Sequence, residues 1–461
     1  MNQSPDPPAA NGDSMENREA WVAFVATGLL ALAWSLGDAW YWQLLFLLSG
    51  ATLISIVVSQ ACEPFADAAQ WIGTQLGLPG SVRGATLDAV ASSMPELFTG
   101  VFFVIAAMTA GDGGAEQLET AGTDGFGSAI ATTAGSAVYN MILIPAFCAI
   151  FIARYRPERP TIDVDDDVIK RDGLWFLGVS ILLIAFLWDN TMSWYMGIVF
   201  LALYGVYVAQ LVRDARRHRA ATARLREAFG IHGTKVTVEK MVAVLAEDGV
   251  SVSHELTHQV RGELYDAENG DDEETPTASV FFAKWDVPLN HFSAWAIIVV
   301  STLVVAVACY FLVEATLLTA ALLDVPAFFV AVILAAAVSS VPDTLLSIGA
   351  AKRGDDSGAV SNAFGSNIFD ICVCLSVPLL VNSYLTGWKP VSLLKDGEPV
   401  AGLTGLRVLL LVLSVVTLAV IWHRRQINRS KAVVLCALYL VFIGYAVAGS
   451  LGLFDQLNIP I

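Results

Sequence analysis

The sequence predicts an all-α polytopic membrane protein: ten core transmembrane helices in two inverted five-helix repeats, preceded by an extra N-terminal helix. Three observations carry that expectation. Of 461 residues, 56% are hydrophobic and 15% charged, against about 45–50% and roughly 25% in a soluble chain. Apolar runs recur along the chain at lengths near the ~20 residues that cross a hydrocarbon core. Polar motifs recur in the same order in the two halves.

The apolar runs fall at 21–36, 41–70, 80–109, 125–152, 173–190, 192–212, 294–322, 326–350, 357–384, 405–422 and 432–450. Residues 1–19 are polar and proline-containing, and are expected to be a disordered tail. The helix over 20–37 lacks a basic leader and a small-residue cleavage site, which predicts a retained span rather than a signal peptide. Residues 38–212 then form the first repeat and 291–461 the second. Between them, 213–290 is the one long polar stretch, opening "RDARRHRAATARLREAFG" and ending acidic, a candidate regulatory loop.

Lysine and arginine set the orientation. Arg154, Arg156, Arg159, Lys170 and Arg171 share one connection, Lys352 and Arg353 another, and Arg424, Arg425, Arg429 and Lys431 a third. With eleven spans, all three lie on the side of the long loop. Lys389 and Lys395 are the exception. The positive-inside bias therefore places the long loop in the cytoplasm and the chain in a plasma (inner) membrane. The formal charge of −17 sits in connections such as "DVDDD" (163–167). It argues against nucleic-acid binding and suits inorganic cations beside a lipid bilayer; nothing points to a protein partner. The six cysteines fall mostly within apolar runs and read as small buried side chains rather than disulfides or a metal cluster.

The repeat is visible residue by residue. Pro95–Glu96 and Pro342–Asp343 are separated by one offset, shared by Ser92 with Ser339, Ser93 with Ser340, Pro79 with Pro326 and Asp67 with Glu314. Further on, "GSAVYN" (135–140) returns as "GSNIFD" (365–370). Five spans separate equivalent points, and an odd number inverts the second copy. Inverted repeats with interrupted helices in matching places point to a transporter with a midplane site.

The chemistry of the motif follows. Proline offers no N–H to the carbonyl four residues back, so the carbonyls of Ala91 and Val338 are expected to be free. At membrane depth such groups are tolerated where protein, water or an ion satisfies them. Glu96 and Asp343 add carboxylates, each costing about 2.5–3.5 kcal/mol to insert. A bound divalent cation removes that cost and their mutual repulsion. Two carboxylates among carbonyls and hydroxyls suit Ca²⁺, which takes 6–8 oxygens. No His or Cys joins the motifs, which disfavours zinc and copper. Ser136 with Asn140, and Ser366 with Asp370, share helix faces at i, i+4 and suggest less charged flanking sites suited to Na⁺. Helix-to-helix packing is the bland reading of these polar positions; its weakness is that it must hold for both inverted copies.

On these residues, "ASSMPELFTG" with "GSAVYN" and "SSVPDTLLS" with "AVSNAFGSNIFD", the chain resembles the cation/calcium exchanger superfamily, over most of its length outside the long loop. "VPD" and "GSNIFD" look most like the potassium-dependent sodium/calcium exchangers. The resemblance implies Na⁺/Ca²⁺ antiport by alternating access, with no cofactor and no covalent chemistry, and K⁺ as a candidate co-transported ion. It implies that Glu96 and Asp343, with backbone oxygens of Ser92 and Ser339, hold Ca²⁺. It implies that Ser93, Ser340, Ser136, Asn140, Ser366 and Asp370, with the carbonyls of Ala89 and Ala336, serve Na⁺. The proton-coupled branch has His after the acid, where this chain has Leu97 and Thr344. Ala91 and Val338 stand where the family usually has glycine, which predicts a narrowed monovalent site. Asp88, two turns before Glu96, is expected either as a hydrogen-bonded rim acid or as an added cation or proton stop.

One motif points elsewhere. "HELTH" (254–258) matches the zinc-protease pattern in which His254 and His258 bind metal and Glu255 activates water. A catalytic zinc needs a third protein ligand and a substrate cleft, and the short loop suggests no cleft. A solvated helix is the expected reading, and a membrane zinc protease is the alternative from another class.

Overall fold

The computed structural model describes residues 12–453 apart from 38, 79, 111–114, 165, 167, 234–235, 248–256, 258–259, 263, 265–275, 396 and 401. Nine of the described helices are long and apolar enough to cross a membrane, or ten when the bent pair Gly84–Ser92 and Met94–Ala110 counts as one span. A shorter segment, the π-turn Val168–Gly173 continued by Leu174–Phe186, fills the place of the fifth apolar run, 173–190.

The extra N-terminal helix, Gly12–Leu36, packs on Trp40–Gln75. It begins inside the stretch expected to be a disordered tail, so that expectation is corrected for residues 12–19. Helix Trp194–His232 runs well past 212, the end of the apolar run, because Ala, Arg, Leu and Glu carry a helix onward without needing lipid. Helix Ala115–Tyr155 starts ten residues ahead of the 125–152 run. It is the axis of the molecule: 78% of its spanning window is buried, against 11% for the N-terminal helix.

The repeat offset reappears in the backbone. A π-turn at Gly84–Asp88 is followed by the short helix Ala89–Ser92 and a break at Ser93. Its counterpart is the π-turn Ala331–Ala335, the short helix Ala336–Ser339 and a turn at Ser340. Pro95 and Pro342 lie in the first turn of the helices that follow, Met94–Ala110 and Val341–Lys352. The sequence reading put each proline inside a span. At the start of a new helix its missing N–H costs that helix no hydrogen bond, and the first pair bends by 45°.

Two small antiparallel ladders record the inversion. Ile162 and Asp163 pair with Ile427 and Gln426, and Thr191 and Met192 pair with Ser392 and Val391. The first joins the connection after the third helix of repeat one to the connection before the last helix of repeat two. The second joins the same connections with the repeats exchanged. A two-fold axis in the membrane plane swaps one ladder for the other. The second ladder lies just before the start of Trp194–His232; the side of the first, towards which that helix runs, is called below the loop side.

Among the described residues all six cysteines are free, five of them buried.

Candidate functional site

The two acid-bearing helices start at the breaks at Ser93 and Ser340, and Ala115–Tyr155 and Asp356–Phe369 pack across them. This crossing brings Glu96, Asp343, Asp370, Ser92, Ser136, Asn140, Ser340 and Ser366 together, all fully buried. Ser136 is the hub. Its hydroxyl oxygen lies 3.0 Å from Glu96 Oε1, 3.2 Å from Asp370 Oδ2 and 2.9 Å from Ser340 Oγ. A hydroxyl has one proton, so it cannot donate to both carboxylates. Asn140 Nδ2 donates to Asp343 Oδ2 at 2.9 Å and to Ser136 at 3.3 Å, and Ser366 donates to Asp343 Oδ1 at 2.7 Å. Ser92 Oγ stands 3.4 Å from Ser366 Oγ. Glu96 and Asp343 are therefore one Ser136–Asn140 relay apart and neither faces lipid.

The oxygens outnumber their donors. Glu96 Oε2, Ser93 Oγ, Asn140 Oδ1 and Asp370 Oδ1 are buried with no hydrogen-bond partner. Buried polar atoms are satisfied in the great majority of cases, and an ion is a standard reason for exceptions. Among the described residues no three His, Cys, Asp or Glu side chains converge as a metal-ligating group. Hydroxyls, amides and carbonyls must complete any coordination, as a hard oxygen-seeking cation allows and zinc does not.

The remaining expected positions behave differently. The carbonyls of Ala89 and Ala336 already accept the backbone N–H groups of Ser93 and Ser340, and Ser92 Oγ also donates to the Ala89 carbonyl at 3.3 Å. Ser339 Oγ donates to the Ala336 carbonyl at 3.2 Å. The Ser93 carbonyl accepts from the Cys374 thiol at 3.4 Å. Val338 does not narrow the site: its side chain packs with Ala51 and Leu312, and Ala91 packs with Phe65, Ala66 and Ala69. Asp88 pairs with Arg83 at 3.7 Å. His254, Glu255 and His258 lie outside the described residues.

One position was missed. Asn362 donates to the Asp343 carbonyl at 3.4 Å and to Ser347 at 2.9 Å. With Ser366 and Asp370 it forms a ladder at i, i+4, i+8, and Thr132, Ser136 and Asn140 form the matching ladder in the first repeat. That spacing was available in the sequence. The π-turn Asp370–Cys374, which begins at Asp370, has no counterpart at Asn140 and no sequence signal.

Comparison with known proteins places this arrangement. The family profile described as "Sodium/calcium exchanger protein" matches residues 42–212 and 293–448. The human sodium/potassium/calcium exchanger 5 is 24% identical over 74% of this chain and 71% of its own length. The human sodium/potassium/calcium exchanger 3 is 29% identical, but the aligned stretch covers 36% of this chain and 22% of that protein. A crystal structure of the H⁺/Ca²⁺ exchanger CAX superposes with a TM-score of 0.56 at 15% identity, covering 94% of this chain and 92% of that one. The sodium-calcium exchanger NCX_Mj, soaked with Na⁺ and Sr²⁺, gives 0.50 at 18% identity, over 86% and 99%. At such identities the two structures speak for the fold alone.

Proposed function

The chain belongs to the sodium/calcium exchanger protein family, and on that premise we propose that it is a secondary antiporter exchanging Na⁺ for Ca²⁺ across a membrane. Glu96 and Asp343, with backbone oxygens of Ser92 and Ser339, take one Ca²⁺. Ser93, Ser136, Asn140, Ser340, Ser366 and Asp370, with the carbonyls of Ala89 and Ala336, take Na⁺. The two loads share oxygens, so they exclude each other and travel in opposite directions. The unpartnered buried oxygens around three carboxylates carry this reading, because among the described residues no ion pair reaches those carboxylates. All three acids are sealed from solvent, which fits an occluded step of alternating access and disfavours an open pore.

The relatives named for potassium support K⁺ as a third ion, with Asp370 as the extra acid that holds it. Proton coupling is the second reading, and Leu97 and Thr344 after the acids weigh against it. The positively charged connections support a cytoplasmic 213–290 stretch in a protein of the plasma (inner) membrane.

Purified protein in sealed vesicles decides between these. Ca²⁺ uptake should follow an outward Na⁺ gradient, with and without K⁺, and should be absent under a pH gradient alone. Uptake driven by pH alone would overturn the sodium reading. Glu255→Gln should leave uptake intact; its loss would favour zinc-dependent chemistry.

A further inference from the structure

One acid outside the central site is left incompletely satisfied. Asp88 is 5% exposed, and its Oδ1 has no hydrogen-bond partner. Its Oδ2 is 3.7 Å from Arg83 Nε, beyond hydrogen-bonding range. Arg83 instead donates from Nη2 to Asp355 Oδ2 at 3.2 Å. Asp355 also accepts the Gly358 N–H at 2.7 Å and so caps the helix that carries Ser366. Arg353, whose guanidinium is 3.5 Å from Gln70, flanks the same rim.

The position is suited to traffic. Arg83 and Asp355 stand at the loop-side ends of the first broken helix and of Asp356–Phe369. The Asp88 carbonyl accepts Ser92 Oγ at 2.8 Å, and Ser92 approaches Ser366, which donates to Asp343. Oxygens thus run from the rim to the central acids. The mirrored path has no such device: at the repeat offset, Arg83 becomes Val330 and Asp88 becomes Ala335.

We propose that Asp88 is a staging site for the transported metal cation on the loop-side access path, and that Arg83 is a tethered cation guarding it. With Arg83 on Asp355, the free carboxylate oxygen receives an arriving Ca²⁺ or Na⁺. When Arg83 releases Asp355 and closes fully on Asp88, it competes with that ion and shuts the path behind it. The inference rests on the exchange reading for its cargo.

Sided transport assays test it. Vesicles are scored for orientation by protease access to the 213–290 stretch. The KM for Ca²⁺ is then measured separately on each face, under whichever gradient drives wild-type flux. Asp88→Asn should raise the loop-side KM about tenfold, the lower end of what focused charge does for ion capture, and leave the opposite face unchanged. Arg83→Gln should lower the loop-side KM alone, and this second variant carries the test where the first does not fold. Equal shifts on both faces, or no shift on either, would overturn the staging role. Absence of Na⁺-driven flux in the wild type would instead overturn the exchange reading, and the sided comparison would still stand.

Discussion

Gly365 meets Ala85 with no room for a side chain: a Cβ on Gly365 would lie 2.6 Å from the Ala85 Cα. Its repeat mate Gly135 is pressed equally against the second broken helix, where a Cβ would overlap the Val332 carbonyl and lie 2.8 Å from the Ala336 Cβ. Val332 and Ala85 are themselves repeat mates. Each Gly–Ser motif therefore seats its helix on the π-turn of the opposite repeat, and the serine that follows reaches the opposite repeat's acid or hydroxyl. Close packing of small residues is how membrane helices approach when no hydrophobic drive favours their association.

These contacts are backbone against backbone or a neighbouring Cβ, so they cannot yield by a rotamer change. Gly365→Ala and Gly135→Ala should each destabilise the protein by about 1–3 kcal/mol, the usual range for overpacking. Thermal unfolding in detergent reads this directly. Ca²⁺ transport should fall with each variant, because the displaced helices carry Ser136 and Ser366. Unchanged melting in both would contradict the packing described here.

The central acids make the firmest functional prediction. Glu96→Gln and Asp343→Asn keep shape and remove charge. Each should bring Na⁺-driven Ca²⁺ uptake to background while leaving folding intact, since the amide also relieves a buried carboxylate. Removing a buried ligand charge leaves the ion short of compensation, a loss of about 3–5 kcal/mol where a buried pair is broken. Isothermal Ca²⁺ titration of the detergent-solubilised variants checks binding apart from transport. Retained micromolar-class binding in both would sink the site.

Asp370 should behave differently. Its Oδ2 shares Ser136 with Glu96, and its Oδ1 is unpartnered. Asp370→Asn lowers the buried charge by one and so lowers by one the monovalent charge needed to neutralise it. Ca²⁺ transport should survive with altered dependence on K⁺ or Na⁺, read as a lower Hill coefficient or a shifted reversal potential. Complete loss of Ca²⁺ transport would instead place Asp370 among the Ca²⁺ ligands.

The acids were legible because an ionisable group beside a proline, inside an apolar run and repeated at a fixed offset, has few structural explanations. The same offset put an interruption at Pro95 and Pro342; the chain breaks two residues earlier, at Ser93 and Ser340. Directions were not legible. The π-turns at Gly84–Asp88 and Ala331–Ala335 add a residue to the turn and rotate everything after them, so a face drawn at regular helical spacing misplaces Val338. Asn362 escaped because a single Asn among small residues looks like packing until its i+4 partners are followed. The helical extension of 194–232 beyond 212 escaped because hydropathy reports lipid contact, and helices continue without it.

Asp172 was hidden for a related reason: it sits in what reads as a charged connection, yet it is fully buried. It accepts from Arg171 Nε and Nη2 at 2.6 and 2.9 Å, from the Tyr207 hydroxyl at 2.9 Å and from Ser361 at 2.5 Å. Ser361 lies on the helix that carries Ser366, so this carboxylate pins that helix to Trp194–His232 on the loop side. Arg171→Gln strands a buried charge and should cost about 3–5 kcal/mol. Tyr207→Phe and Ser361→Ala each delete one donor and should cost about 1–3 kcal/mol. Melting temperatures should therefore fall most for Arg171→Gln, and the Na⁺ KM should worsen in step as the helix bearing Ser366 loosens. A larger effect from Tyr207→Phe than from Arg171→Gln would show that the network is held by its hydroxyls and not by its ion pair.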